Sequence, residues 1–351
     1  MAVEAIRNAI EDAGLEPDQI DGLTSHAFDP LTEHEIANSF GWKNLRFFGK
    51  TAYGNSSATV ALASIGVATG QCDYAVAFRS LTGRKGDGPK IDGVSGEEAF
   101  YVPFGMRAPV HWMAVIAQRY LHEYNADPRA FGWISVACRQ HGANNPLAVN
   151  YGNPITIEDH QSSRMIASPM RLLDCTPNTE GAVAIVVTTP ERAKDLRQTP
   201  AILKGFVQGT GSEVENNTNY NRKRMIIPEE TLHMSKEMYE KTGTTPADMD
   251  FVQVYDHFTP LVLMALEAWD FCPLGEGQHF VEGAREITVG GAAPLNTAGG
   301  HLGEAYMQSM GHVAEAVRQL RGTSTNQVPN AERGLVVSGV GLPGSSILLS
   351  K

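Results

Sequence analysis

The stretch GGAAPLNTAGGHLGEAYMQSMG, residues 290–311, decides how the chain is read. It opens on small residues and glycines, then reads without a break as a helix running to about Arg321. Gly299 and Gly300 let the backbone approach whatever lies opposite, and the first free N–H groups of the following helix aim at the same place. Two readings stand: a tight junction between loop and helix, or a cradle for an anion or a developing oxyanion. Tyr306, inside the helical part, is the residue that bears on the choice.

Outward from this stretch the chain repeats itself. Residues 54–78, GNSSATVALASIGVATGQCDYAVAF, read as a Gly/Ser loop, an apolar helix, a turn and a strand. Residues 299–338 follow the same order, ending in the strand GLVVSG. Helix 2–13, the turn AGLEPDQID and a strand at 22–27 are matched by a helix at about 229–241, the turn TGTTPADMD and the strand FVQVYDHF. GAVAIVVT (181–188) and GSSILLS (344–350) close the two halves. The chain therefore reads as α/β with an internal duplication, one half over 1–200 and the other over 201–351. The second half opens on a strand, residues 201–209, that has no counterpart before the first helix. The expectation is that a first strand is missing, with the native start upstream of Met1, because an absent strand leaves an open sheet edge. Residues 80–170, rich in Gly, Pro, Arg and His, read as an inserted, substrate-facing region with helices at about 111–124 and 129–142.

Composition excludes several classes. A net charge of −11 argues against nucleic acid and anionic membrane surfaces as partners. No run is apolar enough to span a bilayer, and the N-terminal residues lack the features of a signal peptide, so the cytoplasm is the default. Cys72, Cys138, Cys175 and Cys272 are scattered and read as small buried hydrophobes in a reduced compartment. The 11 histidines show no metal-ligand spacing, so no metal is expected in this chain.

The strand GQCDYAVAF (70–78), SPMRLLDCTPNTEGAVAIVV (168–187), VYDHF (254–258), NTAGG (296–300) and VSGVGLPGSS (337–346) occur in an order and spacing that resemble the thiolase superfamily. The likeness is to its sterol-carrier/lipid-transfer-type branch, and it covers residues 2–350. It implies a thiolase-like fold of two duplicated βα-rich halves, layered α-β-α-β-α. The chemistry departs from that of a thiolase. The acylated-cysteine position holds Asn55-Ser56-Ser57, and the second cysteine position holds Ser338-Gly339. Tyr306 stands where thiolases have the GHP histidine, and Tyr255 stands at the head of the NEAF/HDCF-type motif. Paired tyrosines without cysteines resemble the steroid side-chain-cleaving aldolases of actinobacterial sterol and bile-acid catabolism, as do NTAGGHLGEAY and EAVRQLRGTSTNQV.

That resemblance implies retro-aldol cleavage of a steroid side-chain β-hydroxyacyl-CoA to a ring ketone and propionyl-CoA. Tyr255 is then expected as base and Tyr306 as acid, with the reverse left open. His257, His301, Asn55 and Gly339 are supporting or oxyanion candidates, together with the amides after Gly300 and the backbone of 338–341. No cofactor is expected, since CoA is part of the substrate. Implied partners are a second copy in a homodimer through the first core region and a small OB-fold/zinc-ribbon acyl-CoA-associated subunit, which would hold any zinc. Two alternatives stay open: a non-catalytic thiolase-fold acyl-CoA- or lipid-binding or scaffold protein, and an acetyl-CoA acetyltransferase. Apart from the resemblance, Tyr255 reads as a core or rim tyrosine, Tyr306 as a helix tyrosine, His257 as structural and Asn55 as a helix cap. Arg84, Lys85, Lys90 and Arg107, and the run Arg222-Lys223-Arg224, read either as phosphate contacts or as surface charge.

Overall fold

Both halves fold as alternating helices and strands in this computed structural model, which describes residues 1–82, 96–212, 220, 222–339 and 343–351. The first half begins α1 (Ala2–Ala13), β1 (Gly22–His26), α2 (Glu33–Phe40), β2 (Phe47–Thr51), α3 (Asn55–Ala68) and β3 (Ala75–Leu81). It continues through α4 (Pro109–Tyr124), α5 (Arg129–Asn144), α6 (Ile157–Ser162), a small hairpin of β4 (Met165–Ala167) and β5 (Met170–Arg171), β6 (Gly181–Val187) and α7 (Pro190–Ala193). The second half opens with β7 (Ile202–Gly209), α8 (Glu229–Thr242), β8 (Phe251–Val254), α9 (Thr259–Ala268) and α10 (Gly277–Val281). It ends with α11 (Gly300–Gly303), α12 (Met310–Arg321), β9 (Arg333–Ser338) and β10 (Gly344–Ser350).

The duplicated turns form as read, each as a short 3-10 turn locked by a reciprocal cap. Glu16 pairs with Gln19 in the first and Thr245 with Asp248 in the second. Two mixed sheets follow, with strand orders β2-β1-β3-β6 and β7-β10-β9-β8. β6 runs antiparallel to β3 as β10 does to β9. The second sheet continues beyond β10 to β7, whereas among the described residues no strand pairs with the far edge of β6.

α3 is apolar or small all round and largely buried, with Ile65 and Ala68 exposed towards its C-terminal end. It packs on β1, β2 and β3 of one sheet and on β9 and β10 of the other. α12 lies beside it, touching β6 and β9. α1 covers the first sheet through β6 and β3, and α8 covers the second through β7 and β10, which completes the five layers. Val60, Val67, Phe251, Val336 and Ile347 fill the space between the sheets. A second apolar cluster around Trp112, Phe131, Leu263 and Trp269 joins α4, α5 and α9. The four cysteines are free, and burial raises every thiol: Cys72 to about 11, Cys175 and Cys272 to about 12, and Cys138 well above its usual range.

Two expectations are corrected here. The single helix to Arg321 is in fact α11 and α12, separated by residues 304–309, where Gln308 and Ser309 have positive φ. The reason is competition for the backbone. Tyr306 N–H donates to Thr179 Oγ1, the Thr179 hydroxyl donates to the Tyr306 carbonyl, and Ser56 Oγ donates to the Gln308 carbonyl. Arg222 is not a surface cation: it is buried against Glu230 at 2.8 Å, with Lys223 and Arg224 exposed beside it. Arg84, Lys85, Lys90, Val340 and Gly341 lie outside the described residues.

Candidate active site

The site forms where β8 ends against the NTAGG loop. Val254 N–H donates to Asn296 Oδ1, and Asn296 Nδ2 donates back to the Val254 carbonyl. Tyr255 follows at once, held to β9 by its N–H on the Val337 carbonyl at 2.9 Å. Tyr306 enters from the segment between α11 and α12, gripped at two points by Thr179. The structure thus brings the two expected tyrosines together, Oη to Oη at 2.8 Å across 51 residues of chain. Tyr255 is 5% exposed and Tyr306 is half-buried. Burial, then the facing Tyr306, pushes the Tyr255 hydroxyl well above its ordinary range.

Gly299 and Gly300 do allow close approaches: at Gly299 it is the Gly142 backbone that comes near, and at Gly300 it is Asp256. Its carboxylate accepts the N–H groups of His301 (2.8 Å) and Leu302 (3.1 Å) at the start of α11. Gly303 and Glu304 N–H close on the carbonyls of Gly299 and Gly300. The amides after Gly300, expected to serve an enolate, are therefore taken by an anion of the chain itself, so the cradle reading was right in kind and wrong in occupant. Gly300 has φ +60°, and a Cβ there would collide with the Asp256 carboxylate. Gly300→Ala is expected to lower unfolding free energy by about 3 kcal/mol or more, from left-handed strain plus displacement of Asp256. Denaturant titration checks this, and a loss below about 1 kcal/mol would contradict it.

Imidazoles surround the pair. The His257 and His301 rings lie 4.5 and 4.8 Å from the Tyr255 ring, and His301 lies 4.9 Å from that of Tyr306. Burial holds His257 at about 4 and His301 well below its usual range, so both are neutral. Neither is a cation for a phenolate. Burial pushes the Asp256 carboxyl up, but His301, His312 and the His301 N–H outweigh it and leave the group at about 2.

Asp256 Oδ1 stands 3.2 Å from His301 Nδ1 and 3.1 Å from His312 Nε2, a donor set with the spacing of a metal site. The tautomer argues otherwise. Ser309 N–H donates to His301 Nε2 at 3.0 Å, so the ring proton sits on Nδ1, facing Asp256. A metal would need that nitrogen bare. The cluster fits a buried carboxylate faced by two imidazoles.

Asn55 and Gly339 meet each other: a Cβ on Gly339 would lie 3.2 Å from Asn55 Nδ2. Asn55 does not cap α3; it is the first helical residue, at φ 51°, after an N-cap at Gly54. Among the described residues neither it nor Gly339 has a hydrogen bond to a phenol. Next to them, where thiolases carry cysteines, Ser57 and Ser338 bond to each other at 2.7 Å, both fully buried. A serine pair closed on itself, with no imidazole partner among the described residues, is not an activated nucleophile.

The sequence reading missed Asp256, His312, Thr179 and Arg79. Arg79, on β3, is 1% exposed. Its Nη1 donates to Asp29 Oδ2 (3.2 Å) and the Ser80 carbonyl, and its Nε donates to Gln308 Oε1 at 2.6 Å. A lone charge inside the buried run AVAFRSL was the available signal.

Residues 192–349 match the thiolase C-terminal domain-like family, and together with the two packed sheets they define the class as thiolase-like. The chain is 44% identical over 99% of its length to the 17-hydroxy-3-oxo-4-pregnene-20-carboxyl-CoA lyase of Mycobacterium tuberculosis, covering 93% of that protein. It is 42% identical over 99% of its length to the steroid side-chain-cleaving aldolase of Thermomonospora curvata, covering 92% of it. A solved Ltp2-ChsH2(DUF35) aldolase superposes with a TM-score of 0.94 at 41% identity, over 99% of this chain and 91% of that one. The chain belongs to the steroid side-chain-cleaving aldolases, carbon–carbon lyases on the thiolase fold. The binding-scaffold and acetyltransferase alternatives give way to this. No helix among the described residues is long and apolar enough to cross a membrane.

Proposed function

We propose that the chain cleaves a steroid side-chain β-hydroxyacyl-CoA by a retro-aldol reaction, giving a ring-ketone steroid and propionyl-CoA. The observation that carries the mechanism is the direct Tyr255–Tyr306 hydrogen bond, beside a serine pair closed on itself. In the active state the pair holds one proton fewer than two phenols. The base phenolate takes the substrate hydroxyl proton, the oxygen lone pair forms the ketone, and the Cα–Cβ bond breaks to give a thioester enolate. The second phenol protonates the enolate carbon. Proton transfer along the 2.8 Å bond between the two oxygens then restores the starting pair. Burial favours the reverse of the assignment expected from sequence: the deeply buried Tyr255 stays protonated and acts as acid, and half-buried Tyr306 acts as base.

The solved Ltp2-ChsH2(DUF35) aldolase supports a DUF35-type OB-fold/zinc-ribbon subunit as partner for this chain as well. A cytoplasmic location belongs to the same reading, supported by four free cysteines. So does a homodimer through the first core region. β2 is the outer strand of the first sheet, with Phe48 63% and nearby Tyr53 59% exposed. Sedimentation should give a dimer and Phe48→Glu a monomer; a wild-type monomer ends that part of the proposal.

The test of function is incubation of the chain, with and without the DUF35-type subunit, with a steroid side-chain β-hydroxyacyl-CoA, followed by mass spectrometry. Propionyl-CoA and a ring ketone in equal amounts support the proposal. A folded, CoA-binding protein that releases neither would overturn it.

A further inference from the structure

The retro-aldol scheme needs a phenolate, and His257 and His301, the rings packed on Tyr255, are neutral and cannot supply a counter-charge. An ordinary phenol with a pKa of about 10 is ionised in roughly one molecule in 100 to 1,000 at pH 7–8. Burial makes Tyr255 harder still to ionise. The buried cation at hand is Arg79, whose Nε holds the side chain of Gln308, two residues beyond Tyr306. β3 and β6 bring it there: Arg79 pairs with Val183, and the chain entering β6 carries Thr179, which grips Tyr306. Asp29 balances the guanidinium and is itself fixed by the N–H and hydroxyl of Ser80. Burial pulls the Arg79 pKa down, while Asp29 and then the two phenols, Tyr306 ahead of Tyr255, pull it back.

We propose that Arg79 is the positioning and charge-balancing residue of the tyrosine pair: through Gln308 it fixes the segment that presents Tyr306, and its guanidinium stabilises the phenolate at a strength set by Asp29. This rests on the tyrosine reading above. The other ionisable groups around the pair are His26 at the end of β1 and Asp29 after it, Asp256 and His257 after β8, His301 and Glu304 on and after α11, and His312, Glu315 and Arg318 on α12. Burial, then Arg79, keeps His26 at about 4, so it is neutral like His257 and His301. Burial raises Glu304 to about 7, where it titrates on its own, so it is left intact in every variant compared.

The experiment is the pH profile of kcat/KM between about pH 6 and 10 for the chain with its partner subunit. Asp29→Asn frees the guanidinium from its counter-charge and should move the ascending limb down by about one pH unit. Arg79→Gln combined with Asp29→Asn removes both buried charges, leaving neither unpaired, and should move the limb up by a similar amount. Arg79→Lys should keep the limb in place and lower the plateau about tenfold through the lost Gln308 bond. Near-UV circular dichroism establishes that each variant is folded. A merely structural role scales the profile without shifting it. A limb that stays put, or moves the same way in both Asp29 variants, overturns the proposal. Should Tyr306→Phe keep its turnover, the tyrosine reading itself fails; should it lose turnover while the limb does not move, this inference alone fails.

Discussion

Tyr306→Phe should lower kcat by about 10³-fold or more and leave the protein folded, because general acid–base partners contribute about 10²–10⁴-fold and this one also anchors the proton return. The backbone grip of Thr179 on residue 306 does not involve the hydroxyl, so the variant keeps its local structure. Tyr255→Phe should fall by a similar factor, and the double variant by little more than either, because the two oxygens share one hydrogen bond and act as a unit. Exchange of the propionyl-CoA α-protons in D₂O separates the roles. If Tyr255 is the acid, exchange persists in Tyr306→Phe and disappears in Tyr255→Phe. The opposite pattern restores the assignment expected from sequence, and turnover within threefold of wild type in both variants rejects the tyrosine mechanism.

What the sequence disclosed and what it withheld differ in range along the chain. The turns at 13–21 and 242–250 and the closing strands are local patterns, and each formed where it was read; the apolar helix after Gly54 formed too, but it opens at Asn55, inside what reads as a Gly/Ser loop. Tyr255 and Tyr306 were legible because they stand at motif positions, and their meeting at 2.8 Å needed nothing further. The break at 304–309 was not legible. EAYMQS is unremarkable helix sequence, and what opens it is bonding to Thr179, Ser56 and Val149, each more than 120 residues away. Asp256 was hidden for a similar reason. Next to Tyr255 it reads as one more polar residue after a strand, and only the fold turns its carboxylate onto the amides that the glycine pair exposes. Arg79 did leave a local trace, a charge in an apolar strand, but nothing nearby in sequence names its partners, Asp29 and Gln308.

Asp256→Ala should be the most destabilising substitution in the site, lowering unfolding free energy by about 3–5 kcal/mol. The side chain is fully buried, and truncation leaves the N–H groups of His301 and Leu302 without an acceptor in a place water does not reach. His301 Nδ1 and His312 Nε2 lose their facing oxygen at the same time. Asp256→Asn should lie between, because it keeps the shape and one acceptor but turns an NH₂ toward a donor. The pH dependence gives an independent reading with a fixed sign. The folded-state pKa, about 2, lies below the ordinary 3.8, so the ionised carboxylate favours the fold above the unfolded value and this contribution is lost as pH falls through 2. Its full size is about 2 kcal/mol at one pKa unit per 1.36 kcal/mol, and Asp256→Asn should flatten the stability curve between about pH 4 and pH 2 by that amount. Chemical denaturation at pH 7 and at pH 3 measures both effects on the same variants. A loss under about 1 kcal/mol at pH 7 for Asp256→Ala would mean that the α11 amides find another partner, and the carboxylate would no longer explain why Gly300 stands before them.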